Sequence, residues 1–514
     1  MPLVTLPALG QYGLVVDQAA QEIPPNALSR VSNVRFRNGS ATRFGGHVGI
    51  FDTPSVTPYY VAPFGTADKR YWIHSGLAST FADDGTTRTD ISGTALTGTA
   101  DDRFTGGALH GLFILSNAVD PPKYWNGDTG TNLATLTSWD ANWRVKFIRP
   151  FKNFLVYGYP TKSSVAYPHT IGWSAAADPG TLPSTYDTSS TTTEAGDAPI
   201  GETPDKIVDG LTRGEVFLVY KEQSIYRMEL NGDPVSVFSI KRIPGTFGML
   251  ARGCAADTPK GHVVLANGDV VLVDGFGEPQ SLMDGRVRDW FFQTQLDSTN
   301  YARSWVAANL AKSEVWVGYP SIGASYPDKA LVWSWIDNAW GIRDLPNATY
   351  AAAGLLEYDA ADTWAADPDD WIDDSTLWGQ NDFTPSDARF IMASTAPAIY
   401  LADSGTTYAG TTINASIERT GLVFDNPDVV KTWVSMTPRI RAAAGTVVYI
   451  QFGGSMSAEV APTWSDPIEY TVGTSVKAFG FASGRYLAYR IYSTGKQGWS
   501  VKSIDCDIKP RGRN

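Results

Sequence analysis

Seven passages of this chain share one rhythm of apolar and polar positions. They are RYWIHSGLASTFADDG from Arg70, GLFILSNAVDPPKYWNG from Gly111, NFLVYGYP from Asn153, EVFLVYKEQSIYRMELNG from Glu215, HVVLANGDVVLVDG from His262, EVWVGYPSIG from Glu314 and RFIMASTAPAIYLADSG from Arg389. Each opens on four or five largely apolar residues. Most then cross a short polar turn into a second apolar or aromatic run and end on a glycine-containing turn, a strand–turn–strand signature. In the third and sixth a longer loop intervenes, and the second strands are TIGWSA from Thr170 and ALVWSWI from Ala330. With Trp72, Phe113, Leu155, Phe217, Val264, Val315 and Ile391 taken as equivalent, most intervals are about 40 to 60 residues, within the range of propeller-type repeats.

A three- or four-stranded sheet cannot bury both its faces alone, whereas a ring of stacked sheets buries them and hides most strand edges. Near-continuous apolar strands such as FLVY and VVLVD suit sheets covered on both sides. The expected fold is therefore all-β, with a β-propeller of six or seven blades over residues 52–408. A large sandwich or a β-helix is the competing reading. Helical periodicity is scarce, and one short helix is expected over residues 289–296 (DWFFQTQL).

After Thr411 the pattern changes. ASIERTGLVFDN, KTWVSMTPRIRAAAGTVVYIQFGG and GRYLAYRIYSTGKQGWSVKSIDCDIKP alternate apolar and polar residues with period two. That predicts half-buried antiparallel strands, hence a C-terminal β-sandwich-like domain over 409–514. Residues 1–51 read as an N-terminal arm and hairpin. In VRFRNGSATRF, Val34 and Phe36 point one way and Arg35 and Arg37 the other, around an Asn38-Gly39 pair suited to a type I′ turn.

Composition supports turn-rich β structure: aromatics are 12%, with 49 glycines and 31 prolines in 514 residues. The 43% hydrophobic and 18% charged content exceeds what a disordered chain carries. Cys254 and Cys506 stand far apart in no metal-ligand spacing, so neither a disulfide framework nor a cysteine zinc site is expected. MPLVTLPALG lacks the charged and apolar regions of a signal peptide, and no apolar run approaches about 18 residues. The expectation is a protein made in a reducing cytoplasm, with no membrane span.

The net charge of −12 argues against a general DNA binder, which needs clustered lysine and arginine. The charge is uneven. Between Ile23 and Gly46 there are Arg30, Arg35, Arg37 and Arg43 and no acid. These four are candidates for docking on a partner subunit, where planar guanidiniums make bidentate contacts; the plainer reading is a solvated hairpin face. Between Arg343 and Arg389 there is no lysine or arginine, and eleven acids. An acidic, tryptophan-rich insertion is read near 355–380, with Trp364, Trp371 and Trp378 seven apart. Pro368 and the many aspartates argue against a heptad helix, so an inter-strand loop anchored by indoles is expected. Asp362, Asp367, Asp369, Asp370, Asp373 and Asp374 are candidates for a functional acidic surface. A solvated loop and a calcium site are the other readings; DPDDWIDD lacks the EF-hand order and its glycine.

No catalytic set is expected. There is no G-x-S-x-G, H-E-x-x-H or P-loop lysine motif, and no carboxylate pair stands out for glycoside hydrolysis. His47, His74, His110, His169 and His262 are dispersed. No cofactor and no metal is expected. A receptor- or glycan-binding propeller is the alternative function, with Trp125, Trp173 and Trp340 as blade-tip candidates whose plainer reading is ordinary blade packing, and a glycan hydrolase is a further one.

PPNALSRVSNVRFRNGSATRFGG, preceded by the short strand Gly13-Leu-Val-Val16, resembles the N-terminus of tail nozzle proteins of short-tailed bacteriophages, also described as packaged-DNA stabilisation or tail accessory proteins. LTRGEVFLVYKEQSIYRMELNG, ALVWSWIDNAWGIRDLP, DTWAADPDDWIDDSTLWG, the closing GRYLAYRIYS and the terminal RGR fit the same family in the same order. The resemblance implies a structural virion protein: a β-propeller subunit in a homo-oligomeric ring of six, below the portal and its adaptor. That ring would extend the tail channel, retain the packaged genome and pass double-stranded DNA during ejection. The acidic loop with Asp362, Asp367, Asp369, Asp370, Asp373 and Asp374 would then face the channel and repel phosphates. The implied partners are further copies of the chain, the tail adaptor protein, and tail fibres, a needle or a plug.

Overall fold

The computed structural model describes residues 4–67, 69–190, 192–233, 237–355, 388–424 and 426–513. Each of the seven passages becomes part of one antiparallel sheet. The innermost strands are Tyr60–Gly65, Thr105–Leu109, Trp143–Phe151, Ile207–Arg213, Ala255–Thr258, Trp305–Asn309 and Ala348–Gly354. The next strands outward are Arg70–Ser75, Leu112–Ser116, Phe154–Lys162, Val216–Lys221, Gly261–Ala266, Glu314–Tyr319 and Arg389–Ser394. They carry Trp72, Phe113, Leu155, Phe217, Val264, Val315 and Ile391, one in each sheet, so the repeat read from the sequence is the structural repeat. Each innermost strand neighbours the next, and Ala348–Gly354 returns to Tyr60–Gly65. The sheets close into a seven-bladed propeller.

Burial follows the apolar runs. Val216–Lys221, Gly261–Ala266 and Glu314–Tyr319 are buried at every position, as strands covered on both faces must be. Their buried Lys, His and Glu side chains find partners. Lys221 Nζ donates to the carbonyls of Thr203 at 2.7 Å and Ile200 at 3.1 Å. His262 lies between the Tyr220 hydroxyl and the Thr212 carbonyl. Glu314 meets Arg35.

The seventh blade is closed by a strand from the other end of the chain. Ala348–Gly354, Arg389–Ser394 and Ala398–Ala402 supply three strands, and His47–Gly49 pairs antiparallel on their outer side, with Leu401 opposite Val48. The ring is thus fastened by residues that precede its first blade.

The sandwich is likewise built from both ends of the chain. One sheet pairs Trp499–Arg513 with Val429–Ala442 and adds Val4–Leu6, Ser40–Arg43 and Val34–Arg37. It runs on into blade six, where Val34 lies opposite Ile342. The other sheet orders Arg30–Ser32, Ala415–Leu422, Tyr486–Ser493 and Val447–Ser455. Trp433 and Met436 of the first sheet, with Ile450 and Phe452 of the second, fill the space between them, fully buried. The expectation of a separate arm over 1–51 is therefore corrected. A lone hairpin is marginal in water, and these residues gain stability as strands of the sandwich and of blade seven.

Residues 288–295 form a short helical segment, Arg288–Trp290 continuing into the wider turn Phe291–Gln295, where a helix was expected. Both oxygens of Asp17 accept from its first backbone amides, those of Asp289 and Trp290.

Candidate functional site

The four arginines of the basic block divide. Asn38 and Gly39 take positive φ, 51° and 69°, and close the expected two-residue turn. The Asp337 carboxylate, on a turn of blade six, accepts from both of their backbone amides. Arg37 and Arg30 are exposed. Arg35 and Arg43 are buried. The alternating-face reading fails at Arg35 because the strand lies between blade six and the sandwich, so Val34, Arg35 and Phe36 are all covered.

Arg35 enters a charged cluster that joins the hairpin to two blades. Its Nη2 donates to Asp403 Oδ2 at 2.5 Å, and its Nε lies 3.4 Å from Glu314 Oε1. Arg343 Nη1 takes the other Asp403 oxygen at 2.9 Å, and its Nη2 donates to the Gly46 carbonyl at 2.9 Å. Phe44 lies under the Arg35 guanidinium at 4.3 Å, and Trp316 under that of Arg343 at 4.7 Å. Burial works against ionisation of Asp403, yet Arg35 and Arg343 hold its carboxyl below the usual range. Burial outweighs Arg35 at Glu314 and raises that carboxyl. Arg43 donates to the carbonyls of Thr406 and Gly495. His47 stacks on Tyr408 with ring centroids 4.8 Å apart, and burial beside Arg343 lowers its pKa to about 4. The basic block missed these partners, but a signal existed: Glu314 is the one acid in the apolar run EVWVGY, and such a charge must be paired.

A second cluster closes one end of the propeller axis. Arg149 of blade three binds Asp209 of blade four through Nη2 at 2.9 Å and Nε at 3.3 Å. Arg252, before blade five, donates to the carbonyls of Arg103 and Lys146, at 2.8 and 3.0 Å, on the blade-two and blade-three side. Arg103 donates to the Arg303 carbonyl, before blade six, at 2.7 Å and lies 5.7 Å from the Tyr350 ring of blade seven. Tyr350 meets Tyr60 of blade one at 5.0 Å. Contacts between blades two and five, or two and six, skip neighbours and so cross the axis. Three guanidiniums therefore converge on one carboxylate, and burial lowers Arg252 to about 10. A duplex cannot thread a tunnel filled in this way.

The sandwich has an apolar end. Met456, Val460 and Phe481 are exposed, Phe481 by 72%, and line a cleft of about 490 Å³ with Trp464. Phe479 is exposed nearby in sequence. Trp125, Trp173 and Trp340 are all buried in blade packing, as their plainer reading had it, leaving no indole face for the blade-tip alternative. Asp362, Asp367, Asp369, Asp370, Asp373 and Asp374 lie outside the described residues. Among the described residues no group of three His, Cys, Asp or Glu side chains could hold a metal. Among the described residues no helix is long and apolar enough to cross a membrane.

By fold the chain is a seven-bladed β-propeller fastened to a β-sandwich. No family model and no curated protein matches it. Among solved structures it is similar to the computationally designed protein Ika8, with 10% identity, TM-score 0.36 and coverage of 76% of this chain and 99% of that one. The WD40 propeller domain of Doa1 and BBS1N in its complex with ARL6DN each match at 10% identity and TM-score 0.38, covering 70% of this chain and 97% of theirs. At these scores the likenesses add nothing to the fold, which rests on the closed ring of sheets.

Proposed function

We propose that this chain is a structural subunit of a short-tailed bacteriophage's tail nozzle, assembled as a ring of six around a DNA passage. The observation that carries the reading is the closed axis. A propeller whose centre is filled by Arg103, Arg149, Asp209, Tyr60 and Tyr350 leaves only the space between subunits for a genome. The order of the sequence resemblances supports the same assignment. The sandwich fits it too, since its apolar cleft suits burial against a neighbouring copy or the adaptor. Arg37 remains available for such contacts, while Arg35 and Arg43 serve the internal junction. The acids of the insertion supply the negative charge that keeps phosphates sliding rather than bound. Immunogold labelling of purified virions tests the assignment: the reading requires label at the tail, and absence of the chain from the virion overturns it.

A further inference from the structure

The outward face of the second sandwich sheet carries two ordered rows of polar and aromatic side chains. Across four strands, Arg30 lies opposite Glu418, Glu418 opposite Arg490, and Arg490 opposite Gln451. Two residues along, Ser32 faces Ser416, Ser416 faces Tyr492, and Tyr492 faces Tyr449. The intervening residues Val31, Ile417, Ile491 and Ile450 point into the core, as the pleat requires. Between the rows runs a groove of about 480 Å³, lined by Arg30, Ser416, Glu418, Gln451, Arg490 and Tyr492 among others.

These groups are held in place before any ligand arrives. Arg490 Nε donates to Glu418 Oε2 at 2.8 Å, and Nη1 to Gln451 Oε1 at 3.3 Å. Its guanidinium lies 4.4 Å over the Trp464 ring. Gln451 Nε2 donates to the Ser465 carbonyl at 2.9 Å. Tyr492 stacks on Tyr449 with centroids 5.4 Å apart and planes 27° apart. The exception is Arg30, whose side chain is exposed and has no ion pair or hydrogen bond among the described residues.

We infer that this groove binds a saccharide bearing a carboxylate. A sugar ring presents hydroxyls that need fixed donors and acceptors, together with a C–H face that packs on an aromatic ring; Glu418, Arg490, Gln451 and Ser416 supply the former and Tyr492 the latter. Arg30, with no counter-charge of its own, selects the acid, because a guanidinium pairs a carboxylate through two parallel hydrogen bonds. The other occupants fit worse. A phosphate backbone needs a run of free cations, and of the two arginines lining the groove Arg490 is already engaged by Glu418. A peptide strand adds to a sheet edge rather than a face. The site differs from the blade-tip aromatics, which are core, and from the apolar cleft.

Saturation-transfer NMR on the full chain tests this, with di- or trisaccharides of glucuronate, galacturonate and N-acetylneuraminate as probes and cellobiose as the neutral control. At least one acidic probe is expected to take up saturation and cellobiose far less. Arg30→Ala, at an exposed and unpaired position, is expected to weaken binding about tenfold with the melting curve unchanged. Tyr492→Ala is expected to abolish it. No transfer from any acidic probe, equal transfer from cellobiose, or binding that Arg30→Ala leaves unchanged overturns the inference.

Discussion

Arg35 of the N-terminal hairpin and Asp403 of the seventh blade, 368 residues apart in sequence, meet through Nη2 and Oδ2 at 2.5 Å. The pair ties the sandwich to the blade that closes the ring. Asp403 is shared with Arg343, and removing one partner of a buried pair leaves the others uncompensated. Arg35→Ala is expected to cost about 3–5 kcal/mol in urea unfolding. Arg37→Ala, two residues on and exposed, is expected to leave the midpoint where it is. Equal effects would contradict the division of the arginines.

The ring closure has a steric check at Gly46, just before the closing strand. A Cβ there would collide with the Thr407 carbonyl oxygen and crowd the Ser404 carbonyl, both backbone atoms. Gly46→Val is expected to cost at least about 1–3 kcal/mol, as overpacking does, and to speed proteolysis within blade seven. Limited proteolysis with mapped cleavage sites measures it.

Acid should loosen the fold through two buried histidines. Burial lowers His47 and His262 from 6.5 to about 4. The unfolded chain therefore binds more protons between those values, and stability falls as pH drops from about 6.5 towards 4. The melting temperature is expected to decline over that window. His47→Gln should flatten the decline. A melting temperature constant from pH 7 to 5 would count against neutral histidines at these positions.

At the axis, Asp209 is the carboxylate that Arg149 holds while Arg103 and Arg252 lie close by. Asp209→Asn is expected to destabilise by about 3–5 kcal/mol, since it leaves buried cations without their counter-charge. Chloride or sulfate should restore part of that loss by binding the folded state. Thermal melts across a salt series, with wild type as reference, measure both effects.

The blades were legible in the chain because each second strand is a nearly unbroken apolar run, and Trp72 through Ile391 mark them one by one. The Asn38-Gly39 turn was legible because its chemistry is local. What the pattern could not supply was partnership over distance. Period two assigned Arg35 to the solvent side, because nothing local announces that blade six and Asp403 cover that face. His47–Gly49 is too short to declare itself the last strand of a blade built some 350 residues downstream. The axial cluster escaped notice because Arg103, Arg149, Asp209 and Arg252 come from separate blades and meet only when the ring closes. Trp125, Trp173 and Trp340 sit beside turns in sequence and pack inside, as large aromatics of stacked sheets do.

Native mass measurement of the purified full-length chain, taken across a concentration series, tests the nozzle proposal most directly. The proposal predicts a closed species of six copies of the 55.6 kDa subunit. A chain that remains a single subunit at every concentration, or that forms open-ended polymers with no hexamer, would contradict it.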